Sequence, residues 1–283
     1  MGKFIAACVQ LRSSQQPLEN LEMCKDLVEQ AAARGAEYVQ TPEMTNVLCR
    51  SRDEQWARAS DEAQDPFLLE LAGTAAKLGI WLHLGSLAVR LEGGVLANRG
   101  YMLAPDGLVH ARYDKIHMFD VDLANGESWR ESDSYRAGAA CVTVRTPMAK
   151  FGMAICYDVR QPHLFATQAR SGAHVLSAPA AFTAQTGRAH WHVLQRARAI
   201  ETGSFMISSA QGGLHEDGRQ TFGHSLIVDP WGRVLAEADG DDPCVVSAEI
   251  DVSMVDECRQ RIPALKNARH FDLQEFHAGE PAV

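Results

Sequence analysis

Apolar and polar positions follow two rhythms along this chain. Short unbroken apolar runs mark strands buried on both faces. They alternate with longer stretches whose apolar residues recur every three or four positions, the mark of amphipathic helices. "KFIAACVQL" has the first rhythm. Residues 17–34 have the second, with Leu18, Leu21, Leu27, Val28 and Ala31 at helical spacing before a stop at Gly35. "AEYVQTPE" is a short strand that ends on an acid. Residues 65–78 form a second helix, opened by "DP" and closed by Gly79, and "IWLHLGSLAV" is another buried strand. "VLANRGYMLAPDGLVHARYDK" reads as strand, turn, strand, with "PDG" supplying the turn. Residues 114–138 carry neither rhythm and read as a long irregular loop of the functional kind.

The alternation resumes with a strand over 151–156, a helix near 162–171 and the strand "AHVLSAP". "RAHWHVLQRARAIETG" is a strong helix stopped at Gly203. "SFMISSAQ", "FGHSLIVDPWGRVLAEA" and "CVVSAEI" are strands, the middle one turning on "DPWG", and residues 251–261 form the last helix. No low-complexity linker separates the two blocks. The expectation is one α/β domain over residues 1–275, with sheet layers covered by helices, and a tail at 276–283 that is loose or docks on a partner.

Composition narrows the class. Of 283 residues, 46% are hydrophobic and 22% charged, enough for a sizeable core. The net charge of -9 argues against a nucleic-acid partner, because phosphate binding needs a basic face. No apolar run approaches the roughly 18 residues of a membrane span. The start "MGKFIAACVQLRSS" meets polar Gln10 and Arg12 too soon for a secretory signal, and Ala6 breaks the myristoylation pattern, so a cytoplasmic, non-membrane protein is expected. The seven cysteines are scattered, odd in number and lack any C-x-x-C, which disfavours a disulfide framework or a zinc finger.

Candidate chemistry begins at "FGMAICYDVR", where a buried run meets Cys156 and then Tyr157, Asp158 and Arg160. A thiol at such a strand end suits a nucleophile, with the following backbone N–H groups aimed at substrate; the plain alternative is a packed core cysteine. His190 and His192, two apart on a helix, face different sides and make a poor metal pair. Glu43 in "QTPEMTN" and Lys115 in "YDKIHMFD" also stand at strand ends, although each alone reads equally as a surface residue. Glu, Lys and Cys at three strand ends are compatible with one site at the carboxyl edge of a sheet.

Together, "TPEMTN", "YDKIHMFD" and "FGMAICYDVRQP", supported by "SAPAAFTAQTGRAHWHVLQRARAIE" and "FGHSLIVDPWG", resemble the carbon–nitrogen hydrolase (nitrilase) superfamily from about residue 3 to about residue 275. The resemblance implies a four-layer α-β-β-α sandwich with two mixed sheets, pairing into a homodimer or higher homo-oligomer. It implies a Glu43, Lys115, Cys156 triad acting on a small-molecule amide, with no metal or organic cofactor. Lys115 and the Tyr157 backbone N–H would hold the oxyanion. The family's second glutamate matches Glu131, at the family's distance before Gly138, with Glu127 the competing candidate. Arg160 suits either a carboxylate clamp or a salt bridge to Asp158 or another acid. In relatives that hydrolyse α-keto acid amides, the residues matching Arg160 and Thr186 contact the keto-acid end. The spacing of Gln211, Gly213, His215 and Arg219 is similar to the branch acting on deaminated glutathione, departing from it at Gly212 and in "QTF". The expected function is therefore a thiol amidase for deaminated glutathione. The alternatives are an ω-amidase acting on α-ketoglutaramate or α-ketosuccinamate, and a catalytically silent scaffold.

Overall fold

The computed structural model describes residues 2–123, 126 and 128–277. The first sheet runs Cys244–Asp251, Lys3–Gln10, Tyr38–Gln40, Trp81–Leu91, Val95–Leu103, Val109–Asp114, with the short strand Ser60–Asp61 added beside Trp81–Leu91. The second runs Val234–Glu237, Leu226–Val228, Phe205–Ser208, Val175–Ser177, Lys150–Met153, Val142–Arg145. Each has a parallel centre and antiparallel flanks. The parallel strands are the unbroken apolar runs of the sequence, as burial on both faces requires.

Helices Pro17–Ala33 and Pro66–Leu78 cover the outer face of the first sheet, sharing a core of Leu21, Leu27, Val28, Leu71 and Leu82. Helices Pro162–Arg170 and Ala184–Thr202 cover the second through Leu164, Phe165 and Trp191. The two sheets meet face to face, and Tyr38 of one stacks on Phe151 of the other at 4.6 Å. The result is the expected α-β-β-α order. Proline opens all three of the helices that begin at residues 17, 66 and 162, where its missing N–H costs nothing. Gly79 and Gly203 close their helices at φ 68° and 57°.

Several elements differ from the sequence reading. The strand expected over 151–156 ends at Met153, and Cys156 instead opens a 3-10 helix, Cys156–Arg160. The loop 114–138 contains a short hairpin, Asp120–Asp122 with Ser128–Arg130, and a 3-10 turn, Glu131–Asp133. Helix Arg52–Arg58 had no apolar rhythm to announce it and is capped by Ser51. Leu18 lies on the solvent side of its helix, 69% exposed. One core cluster spans the facing sides of both sheets, and Glu43, Lys115 and Cys156 each follow the end of one of their strands.

Candidate active site

Glu43 follows the strand Tyr38–Gln40. Its turn is pinned by Met44 N donating to Ser86 Oγ (2.9 Å) and Gln211 Nε2 donating to the Glu43 carbonyl (3.0 Å). Lys115 follows Val109–Asp114, its amide donating to the Asn98 carbonyl at 3.0 Å. Cys156 is held by its own amide, which donates to the Pro179 carbonyl at 2.9 Å. Met44 and Cys156 both have positive φ, 54° and 48°. An L-residue keeps that conformation only where its surroundings enforce it, and such strain concentrates at functional sites.

The side chains converge. Lys115 Nζ donates to Glu43 Oε1 (2.8 Å) and to both oxygens of Glu131 (3.0 and 2.8 Å). All three ammonium protons are thus engaged by carboxylates. Asn98 Nδ2 donates to the same Glu43 oxygen and to Glu131, each at 2.9 Å. Ala181 N donates to Glu43 Oε2 (2.8 Å), and Phe119 N to Glu131 Oε2 (2.7 Å). Lys115 is only 1% exposed, so two carboxylates face one ammonium almost out of water.

These surroundings set the proton positions. Burial pushes the Glu43 carboxyl up, but Lys115, Cys156 and the Ala181 amide together hold it below the ordinary carboxylate range. Burial pulls Lys115 down, and Glu131 and Glu43 more than reverse this, leaving it well above its usual value. Burial and then the Glu43 charge raise the Cys156 thiol well above its usual value, against the pull of Lys115. At neutral pH the cluster is therefore a carboxylate, an ammonium and a neutral thiol.

Glu43, Lys115, Glu131 and Cys156 line a cavity of about 170 Å³. Tyr157 lines it too, and its backbone N–H has no acceptor among the described residues. Thr186 is on the wall, its hydroxyl 2.8 Å from that of Thr183. Arg160 is not a lining residue: its guanidinium meets His190 Nδ1 at 3.3 Å and lies over Phe182 and Tyr157, which do line the cavity. Among the described residues no carboxylate pairs with it. Glu131, in contact with Lys115, is the second glutamate of the cluster; Glu127 lies outside the described residues.

Asp158, weighed as a partner for Arg160, does something else. It is fully buried and accepts from His117 N (3.0 Å), Tyr113 Oη (2.7 Å) and Ile155 N (2.9 Å), with His117 Nδ1 at 2.6 Å. It ties the loop carrying Cys156 to the segment after Lys115. Asn98 and Asp158 were both missed as site residues. Asn98 sits inside a strand pattern, where nothing local marks it, but the acid two residues after Cys156 was a usable signal. The branch-like positions divide similarly. Gln211 braces Glu43, and His215 bonds the Ser13 carbonyl and Thr221, whereas Arg219 reaches the cavity.

His190 and His192 do point apart. His192 instead joins His224 on one oxygen of Glu237, at 2.7 and 2.8 Å, and none of these three lines the cavity.

Comparison with known proteins follows the same lines. Residues 5–260 match the family model described as carbon-nitrogen hydrolase. A deaminated glutathione amidase of Synechocystis is 38% identical over 272 residues, covering 94% of this chain and 98% of that protein. A probable hydrolase, nit2, of Schizosaccharomyces pombe is 37% identical over 266 residues, covering 93% of this chain and 96% of that protein. Among solved structures, the Caenorhabditis elegans NitFhit protein superposes with a TM-score of 0.89 at 35% identity, over 95% of this chain and 66% of that one.

Proposed function

The chain belongs to the carbon–nitrogen hydrolase family and is a hydrolase of carbon–nitrogen bonds; from that premise we propose a thiol-dependent amidase that hydrolyses deaminated glutathione through a thioester on Cys156. The observation that carries the reading is the Lys115 ammonium buried between Glu43 and Glu131 beside the Cys156 thiol, on the floor of one cavity.

In this reading the Cys156 proton passes to Glu43 as sulfur attacks the amide carbonyl. The carbonyl oxygen becomes an oxyanion beside the Tyr157 N–H. Once Glu43 is protonated it holds Lys115 less firmly, and an ammonium proton becomes free to turn toward the new negative charge. Each such donor is worth roughly a hundredfold or more in rate. Collapse breaks the C–N bond, and Glu43 gives its proton to the departing amine. Glu43 then takes a proton from water as the hydroxyl adds to the thioester. The second collapse releases the acid, and the thiolate recovers its proton. With deaminated glutathione the products are α-ketoglutarate and Cys-Gly. Every proton is accounted for by Glu43, and no metal or organic cofactor enters.

Relatives at 35–38% identity bear the name deaminated glutathione amidase, which supports this substrate. The small cavity supports a second reading, an ω-amidase acting on α-ketoglutaramate or α-ketosuccinamate. Rapid quench followed by mass spectrometry is expected to find an α-ketoglutaryl adduct on Cys156; turnover with no adduct would remove the thioester. Deaminated glutathione and α-ketoglutaramate give the same acyl group, so kcat/KM measured side by side separates them. A tenfold advantage for α-ketoglutaramate overturns the substrate proposed. Pairing of two copies across helix Ala184–Thr202 is part of the proposal. Exposed Val193 and Ile200 on that helix, and Phe271 and Leu273 beyond the last helix, support it. Sedimentation should give twice the chain mass, and a monomer at micromolar concentration would rule it out.

A further inference from the structure

The floor of the cavity repels anions, yet its mouth is cationic. Arg50 and Arg219 both line it, their guanidinium carbons 5.0 and 4.4 Å from the centre of the same ring, that of Trp129. Two like charges beside one indole repel each other, and the ring attracts both. Neither is well paired. Arg219 reaches the Cys49 carbonyl only at 3.4 Å and Asp217 at 3.6 Å, and its Nε is buried without a partner. Arg50 has no carboxylate partner among the described residues. Elsewhere in the protein, Arg99 shows what a satisfied guanidinium looks like, gripping Asp114 with two bonds of 2.6 and 2.9 Å.

We infer that Arg219 and Arg50 form a carboxylate-binding subsite at the cavity mouth, and that it takes the terminal carboxylate of the leaving group. The inference rests on the deaminated-glutathione reading and deepens it. The cavity is close in size to the roughly 150 Å³ that encloses a benzene molecule. It has room for the acyl half of the substrate and not for the dipeptide as well. From the scissile nitrogen, the glycine carboxylate lies two residues along the chain, about 7 Å when extended. That places it outside the enclosed floor, where Glu43 and Glu131 would oppose it, and at the mouth, where a planar fork suits it. α-Ketoglutaramate leaves ammonia, so its one carboxylate belongs to the acyl half and it has no leaving-group carboxylate to offer this subsite. The two arginines are therefore what makes the site read the leaving group.

The test is a cycle of substrate and enzyme changes. Wild type, Arg219→Met and Arg50→Met are each assayed on deaminated glutathione and on its C-terminal glycinamide, which lacks the carboxylate. Methionine keeps an apolar stem against Trp129 and removes the charge. For wild type, kcat/KM should favour the acid over the amide by about tenfold to a hundredfold, mostly through KM, the scale of a charge-assisted hydrogen bond. In Arg219→Met that ratio should fall toward one, and in Arg50→Met part of the way. A wild-type ratio near one overturns the subsite even if deaminated glutathione is the substrate. A ratio that survives both substitutions also overturns it, because the carboxylate is then read elsewhere. If α-ketoglutaramate outruns both compounds on wild type, the substrate reading itself fails and takes the subsite with it. The wild-type comparison holds whether or not either variant folds.

Discussion

Replacing Asp158 with asparagine isolates what positions Cys156, the proposed nucleophile. The carboxylate is fully buried, and its two oxygens meet four groups: the amide and ring Nδ1 of His117 on one, the Ile155 amide and the Tyr113 hydroxyl on the other. An asparagine offers one acceptor, so its NH2 must replace one of these oxygens. The Tyr113 hydroxyl can rotate and the His117 ring can change tautomer, but a backbone N–H can do neither. Whichever way the amide is turned, one buried N–H loses its acceptor and the remaining bonds lose their charge. That sums to about 2–4 kcal/mol, or a fall in melting temperature of about 5–10 °C for a chain of this size. Ile155 directly precedes Cys156, whose φ of 48° persists only if its neighbours hold it. A shift of about 1 Å at the sulfur costs up to a hundredfold, so kcat should fall about tenfold to a hundredfold with KM little changed. Calorimetry gives the first number and keto-acid release the second. Tyr113→Phe is the control: it removes one donor, leaves the Ile155 bond, and should keep most of kcat. An Asp158→Asn protein with a melting temperature within 2 °C and kcat within twofold of wild type would refute this account.

Cys156→Ala should abolish amide hydrolysis and leave the melting temperature within about 2 °C, since it removes one buried sulfur and no hydrogen bond that the fold uses; surviving activity would reduce the thiol to packing. Glu131→Gln offers one oxygen where two now serve Lys115, Asn98 and Phe119, so kcat should fall about a hundredfold while iodoacetamide still labels Cys156, and unchanged kcat would exclude Glu131 from the machinery. Glu43 is depressed and so stays ionised until pH falls below the ordinary carboxylate value near 4.3, while the raised Cys156 stays protonated past the ordinary thiol value near 8.5. The kcat/KM profile should therefore be flat from about pH 5 to about pH 9, and a rise centred near pH 8.5 would show a free thiolate doing the chemistry. At Gly85 an added Cβ would fall inside contact distance of the Thr41 and Pro42 carbonyl oxygens and Pro179 Cβ. Gly85→Ala should cost about 1–3 kcal/mol and lower kcat by prying Glu43's turn from the carbonyl that holds Cys156; full activity and stability would mean the turn moves freely.

The sequence exposed what depends on local rhythm and concealed what depends on distant partners. Parallel strands are buried on both faces, so Trp81–Leu91 and Val175–Ser177 could be read from apolar runs alone. Cys156 was placed at the end of a strand that in fact stops at Met153. Its backbone is set by Pro179, from the next strand's loop, and no pattern within "GMAIC" encodes that. The hairpin Asp120–Asp122 with Ser128–Arg130 has only three residues a side, exposed polar ends flanking half-buried Val121 and Trp129, too short an alternation to register as a strand pair. Glu43 and Lys115 stand out as strand-end residues, but a glutamate or lysine there is ordinarily solvated, and it is the family motifs that single them out as a triad with Cys156. What no motif conveyed is Asn98, whose amide joins the two carboxylates, and the pairing of Arg50 with Arg219 around Trp129.

The charge count links these observations. One buried and one half-buried carboxylate against one ammonium leave the floor formally negative, and three consequences follow. The thiol keeps its proton, because a third negative charge beside Glu43 is unfavourable. In the proposed mechanism the thiolate is therefore made only when a carbonyl is present to receive it, with Glu43, kept ionised by Lys115, as the base. Oxyanion formation likewise adds no net charge to the floor, because the proton leaving Cys156 neutralises Glu43 as the negative charge passes to the carbonyl oxygen. A substrate carboxylate, finally, gains nothing from the floor and, in the proposed reading, is met elsewhere, on the cavity wall or by guanidinium at the mouth. The arrangement that keeps the sulfur quiet in the resting enzyme also dictates where cations must stand to bind an anionic substrate.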